Sequence, residues 1–199
     1  MKIGIISGSH RSSSNSGKTA EFCRNVLTGK NIASYILNLE RNRIPQWEEE
    51  FWDKTNEWMK IWNPISSELQ SCEGFIIISP EYGGMVPSAL KNFFLFCSSE
   101  LAHKPGLIIS VSSGRGGSYP VAELRMSSYK NSHICYIPEH VIIRDANNML
   151  KTDGTASSDD IYIQERIHYC LNILIGYSSA LTEVRKQNLI DLKKYPNGM

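Results

Sequence analysis

The sequence has no apolar run approaching the roughly 18–20 residues that a membrane-spanning helix needs. Its opening stretch, Met-Lys-Ile-Gly-Ile-Ile-Ser-Gly-Ser, stays apolar for only about five residues, too short for a signal-peptide core. A cytoplasmic protein without a membrane span is therefore expected. Charge imbalance is also missing. With 21 basic and 20 acidic side chains the formal net charge is +1, which points to neither nucleic acid nor an anionic membrane as a partner. The five cysteines, Cys23, Cys72, Cys97, Cys135 and Cys170, are scattered and form no C-x-x-C pair. That odd, dispersed set argues against a disulfide framework or a zinc site and fits buried free thiols. The five histidines, His10, His103, His133, His140 and His168, lack ligand spacing, so no metal is expected. There is no internal repeat, linker or low-complexity tract, and 199 residues suit a single domain spanning 1–199.

What is present is an alternation of short apolar runs with helix-like segments. Strands are expected at Lys2–Ser7, Ile32–Leu39, Gly74–Ser79, Pro105–Ser112 and Ser132–Ile143, the last interrupted around Pro138. Helices are expected at Ser16–Leu27, Asn56–Ser71, Ser88–Ser98, Gly117–Lys130 and Ser158–Lys186. Pro64 should kink or split the second, Pro87 opens the third, and Pro120 moves the start of the fourth to near Tyr119. Arg41–Trp52 reads as a polar and aromatic connection. Five strands alternating with helices describe an α/β fold, a parallel sheet covered on both faces. Ligands bind such sheets beyond the carboxyl ends of the strands, at the switch point in strand order.

Three strand-end loops stand out. The first, Gly8–Thr19, gathers serines and Arg11 at a helix N-terminus, where amides and the helix dipole favour an anion. The alternative is a solvated loop with Ser16 as N-cap. Its Ser16-Gly17-Lys18-Thr19 segment resembles the end of a nucleotide-binding phosphate loop, but Ser12 stands where the first glycine belongs. The strands Gly74–Ser79 and Pro105–Ser112 end in serine, not in the aspartate that magnesium would require. The second loop, Ser79–Pro87, sets Gly83 and Gly84 after Tyr82, either to present bare amides to a planar ligand or to make a rigid turn between prolines. The third, Ser112–Ser118, has three glycines within four residues.

Together the loops resemble the NADPH-dependent FMN reductase family of flavodoxin-like proteins. The family pattern G-S-x-R-x-x-S-N is matched by Gly8, Ser9, Arg11, Ser14 and Asn15. The pattern P-E-Y-N-G-x-x-P-x-x-L-K-N is matched by Pro80, Glu81, Tyr82, Gly84, Pro87, Leu90, Lys91 and Asn92, with Gly83 in place of asparagine. The pattern S-x-G-x-x-G falls on Ser112, Gly114 and Gly117. Leu95 and Phe96 stand where an aspartate and a tryptophan often follow, and the run Phe93–Phe96 suits either an interface or the core.

The resemblance implies a flavodoxin-like three-layer sandwich with strand order 2-1-3-4-5. It implies FMN with its phosphate on Ser9, Arg11, Ser14, Asn15 and Ser16. The isoalloxazine ring would run beside Pro80, Glu81, Tyr82, Gly83 and Gly84, with Ser112, Gly114, Gly116 and Gly117 on its other side. It also implies NADPH or NADH as electron donor and a quinone, azo compound, free flavin or metal ion as the small-molecule acceptor. A homodimer or homotetramer is implied as well. Hydride transfer to a flavin needs orientation more than a protein acid or base, so no catalytic side chain is assigned. A flavodoxin-type electron carrier without NAD(P)H turnover is the alternative, and a phosphotransferase using the Ser-Gly-Lys-Thr stretch is a third. Arg11 and Arg115 offer positive charge to a dinucleotide or are simply solvated. Trp47, Trp52, Trp58 and Trp62 either wall a pocket or pack inward.

Overall fold

Isoleucine-rich runs become the centre of the sheet because β-branched side chains fit a pleated surface buried on both faces. The computed structural model describes residues 1–40, 44–53 and 57–198. Its strands are β1 (Lys2–Ser7), β2 (Ala33–Asn38), β3 (Gly74–Pro80), β4 (Pro105–Val111) and β5 (Cys135–Ile143). Its helices are α1 (Asn15–Gly29), α2 (Trp58–Gln70), α3 (Ser88–Phe96), α4 (Ser118–Ser127) and α5 (Ser158–Lys186). All strand pairs are parallel, and the order is β2-β1-β3-β4-β5. This is the flavodoxin-like sandwich that the sequence implied.

Alternate residues of each strand feed two cores. Ile3, Ile5, Ile76, Ile78, Leu107 and Ile109 meet α1 and α5 through Cys23, Leu27, Ile167 and Leu171. Ile6, Phe75, Ile77 and Ile108 meet α2, α3 and α4 through Leu69, Leu90, Phe93 and Leu124. β3 and β4 are buried along their whole length, as strands covered on both faces must be.

Several boundaries differ from expectation. α2 runs unbroken through Pro64; Pro64 and Lys60 are both exposed, so water can take the Lys60 carbonyl that proline leaves without a donor. Asn56, the expected start of that helix, and residues 41–43 of the preceding connection lie outside the described residues. β5 begins at Cys135 rather than Ser132 and shifts register opposite Gly106 and Ile108. The irregular carbonyls of Ile137 and Pro138 are taken by Arg125, at 2.7 and 3.0 Å. Pro87 is the N-cap residue of α3 rather than its first helical residue. Phe93 and Phe96 belong to the core, whereas Leu95 points out at 60% exposure. Trp62 is buried, and Trp58 packs against the same core.

All five cysteines are free thiols, and burial pushes Cys23 up to about 12. No helix among the described residues is long and apolar enough to cross a membrane.

Candidate functional site at the switch point

β1 sits between β2 and β3, so the chain leaves its carboxyl end in one direction and returns in the other. That divergence opens a crevice. A cleft of about 330 Å³ occupies it, lined by Arg11, Ser13, Ser14, Asn15, Ser16, Pro80, Glu81, Tyr82, Val111, Ser113 and Asn147.

The first loop builds its anion-binding end. Ser14, not Ser16, is the N-cap of α1: its Oγ accepts the Gly17 N–H at 3.0 Å, and its carbonyl accepts Lys18 N–H at 3.0 Å. Ser14 wins because its backbone is extended while Ser16 already lies inside the helix. The amides of Asn15 and Ser16 at the helix tip have no helical acceptor by construction. Ser16 is 1% exposed and its Oγ finds no partner. A buried hydroxyl without a partner costs about 1–3 kcal/mol, so the arrangement is incomplete without an acceptor in the cleft. Arg11 is exposed at the rim and forms no ion pair among the described residues. Together these groups suit a phosphate dianion.

Ser9 is turned inward. It is fully buried, its Oγ lies 2.7 Å from Tyr82 Oη and accepts the Arg11 N–H at 3.2 Å. It thereby joins the first loop to the second instead of lining the cleft. Lys18 and Thr19, which a nucleotide phosphate loop would need, are occupied elsewhere: Lys18 Nζ donates to the Met149 carbonyl at 2.6 Å and Thr19 Oγ1 to the Asn15 carbonyl at 2.8 Å.

In the second loop, Tyr82 and Met85 exchange both backbone hydrogen bonds at 3.1 Å. The intervening Gly83 and Gly84 have φ of 59° and 78°, as a two-residue type I′ turn requires. Asn-Gly is a favoured pair for that turn, and Gly-Gly supplies the same backbone. The loss of asparagine at position 83 thus leaves the turn intact. The His10 ring meets Tyr82 edge-on at 5.4 Å.

α4 braces this loop. Glu123 accepts the Val86 N–H at 2.8 Å and pairs with Lys91 at 2.6 Å. Burial would raise its carboxyl, but those partners outweigh it and hold the group below its usual value. Asn92 donates to the Pro45 carbonyl and accepts from Trp47 N–H, both at 2.8 Å. Leu90, Lys91 and Asn92 therefore serve packing and bracing, and none of them lines the cleft.

In the third loop, Ser112 and Gly114 accept from the segment after β5 through their carbonyls, and the Gly117 N–H is taken by Glu81. Gly83, Gly84, Ser112, Gly114, Gly116 and Gly117 shape or flank the cleft rather than line it. Ser13, Val111, Ser113 and Asn147 line it without having been singled out. Ser113 lay within a loop already marked, and Asn147 follows the fifth strand, so the strand-end rule applied once more would have found it. No described tryptophan lines the cleft, and no group of three His, Cys, Asp or Glu side chains among the described residues could hold a metal.

The sequence pattern that defines the NADPH-dependent FMN reductases matches residues 1–148. The chain belongs to that family. Among relatives of this FMN reductase family member, an NADPH azoreductase of Bacillus sp. (strain OY1-2) is 24% identical over 188 residues, 94% of this chain and 98% of the relative. A flavoenzyme NAD(P)H:(acceptor) oxidoreductase from Paracoccus denitrificans superposes with a TM-score of 0.69 at 17% identity, covering 90% of this chain and 97% of that one. An NAD(P)H:quinone oxidoreductase from Methanothermobacter marburgensis superposes at 0.61 with 12% identity, covering 85% and 96%. At these identities the superpositions speak to the fold.

Proposed function

We propose that this protein is an FMN-binding, NAD(P)H-dependent oxidoreductase that passes electrons from a reduced nicotinamide to a small-molecule acceptor. The observation that carries the reading is the Ser16 hydroxyl, buried and unpartnered at the tip of α1 in the switch-point cleft. It asks for an anionic acceptor where family membership calls for the FMN phosphate.

In this reading Arg11, Ser14, Asn15 and Ser16 hold the phosphate. Charge-assisted hydrogen bonds from Arg11 and the helix tip fix it in place. Ser9 acts indirectly, by holding Tyr82 upright. Pro80, Glu81, Tyr82, Gly83 and Gly84 form the edge along which the ring lies, and Ser112, Gly114, Gly116 and Gly117 form the opposite side. Bound FMN supplies the hydride and electron chemistry. The chain's own residues supply binding and orientation.

The donor is NADPH or NADH, and the acceptor a quinone, azo compound, free flavin or metal ion. Within that range, the name of the azoreductase supports an azo compound and that of the Methanothermobacter marburgensis oxidoreductase a quinone. A cytoplasmic homodimer or homotetramer completes the reading. Support for the oligomer is the apolar cleft between α3 and α4, where Leu95 is 60% exposed beside Phe94 and Val86.

The test is an FMN titration of the flavin-free protein, followed by quenching of flavin fluorescence. Saturable one-to-one binding is expected, weakened about tenfold or more in Arg11→Gln through loss of a charge-assisted bond. A protein that leaves FMN fluorescence unchanged refutes the reading.

A further inference from the structure

Four segments meet at the carboxyl end of the sheet, and the fourth, residues 144–151 after β5, is pinned from three sides. The N–H groups of Asp145 and Ala146 donate to the carbonyls of Gly114 and Ser112, at 2.9 and 3.1 Å. Lys18 on α1 reaches the Met149 carbonyl. Asp160, fully buried in the first turn of α5, accepts the N–H groups of Leu150 and Lys151 at 2.6 and 3.0 Å. Asp145 and Leu150 are held at φ of 47° and 55°, conformations that persist only where the surroundings impose them. The segment is thus a fixed wall.

Asn147 is the residue of this wall that lines the cleft, together with Arg11, Ser13, Ser14, Asn15 and Ser16. Its Oδ1 accepts from Asn15 Nδ2 at 2.8 Å. That bond sets the orientation of the amide. Oδ1 faces the tip of α1, and Nδ2 is left as a donor with no partner among the described residues. The neighbouring Asn148 spends its Nδ2 on Asp145, at 2.9 Å, so the two asparagines divide the work: one holds the turn and the other faces the site.

We infer that Asn147 is a further ligand-binding residue, whose Nδ2 donates to a phosphate oxygen of the bound flavin opposite Ser16 and Arg11. The inference rests on the flavin mononucleotide reading above and adds a fourth loop to the three that the family patterns mark. It also gives the Asn15–Asn147 bond a purpose: the residue that opens α1 orients the amide across the cleft.

Two substitutions test it. Asn147→Ala removes the amide. Asn147→Asp keeps an oxygen to accept from Asn15 but replaces the donor with a second, anionic oxygen, so the wall stays in place while its chemistry is reversed. The flavin-free full chain is titrated with FMN and with riboflavin, which has the same ring and ribityl chain but no phosphate. Affinity for FMN should fall on the order of tenfold in Asn147→Ala and a hundredfold in Asn147→Asp. Riboflavin should bind all three proteins within about twofold of one another. FMN affinity unchanged in Asn147→Asp, or equal losses for FMN and riboflavin, would overturn the inference while leaving the flavin reading standing. A wild-type chain that binds FMN no better than riboflavin would reject the phosphate site itself.

Discussion

The carboxylate of Glu81, on the loop after β3, accepts the N–H of Gly117, the residue that precedes α4. A second carboxylate crosses the other way, from Glu123 on α4 to the Val86 N–H that ends the same loop. The two carboxylates lock the second and third loops into one unit. Glu81 leaves no room beside it: a Cβ added at Gly116 would collide with its carboxyl group. Gly116→Ala should therefore loosen the Glu81–Gly117 bond, lowering stability by about 1 kcal/mol, the worth of one hydrogen bond at a half-buried carboxylate. Chemical denaturation checks the stability. FMN affinity should fall in parallel, since both loops border the cleft.

Ser16→Ala should separate stability from binding. Removing a buried hydroxyl that has no partner relieves the folded protein, so the flavin-free variant should melt at the same temperature as wild type or higher. Binding of FMN should weaken by about tenfold, the worth of one hydrogen bond to a charged group. Differential scanning fluorimetry and flavin titration read the two effects separately.

Position 83 tests whether the departure from the family pattern matters. Gly83→Asn should be accommodated within about 0.5 kcal/mol, because asparagine suits the first position of a type I′ turn. Gly83→Val should cost about 1–2 kcal/mol, because a branched side chain opposes a φ of 59°. Urea unfolding of the two variants makes the comparison.

Much of this was legible in the sequence, and the reasons are specific. The isoleucine runs at Lys2–Ser7 and Gly74–Ser79 announce buried parallel strands, and the second extends one residue further, to Pro80. Asp159 and Asp160 open α5 as expected, and both ends of that helix match. Arg11, Ser14, Asn15, Ser16, Pro80, Glu81 and Tyr82 all line one cleft, because strand-end loops of a parallel sheet converge. What the sequence hid were choices decided by tertiary contact. Ser14 and Ser16 are equivalent as capping residues on paper, and the loop's extended backbone at Ser14 decides between them. Nothing in the sequence announces that Ser9 Oγ lies 2.7 Å from Tyr82 Oη. Pro64 reads as a kink or a split, and it does not split α2, because its face is solvated.

Asp160 sets an acid limit on the wall after β5. Burial would raise its carboxyl, but the amides of Lys151 and Leu150 and the Gln164 side chain outweigh that and lower it. A carboxyl lowered on folding adds stability above its unfolded value, near pH 4, and that stability is lost as the pH falls through the lower folded value. Asp160→Asn should remove this component, so wild type and variant should differ in melting temperature at pH 7 and converge in acid. A difference that stays constant from pH 7 to pH 3 would contradict the assignment.

Electron transfer through FMN is the central claim, and anaerobic mixing of the FMN-loaded protein with NADPH or NADH tests it most directly. The flavin band near about 450 nm should bleach with at least one donor and return when a quinone or azo dye is added. A band that persists with both nicotinamides, although dithionite removes it, would contradict the oxidoreductase and leave a flavin-binding electron carrier in its place.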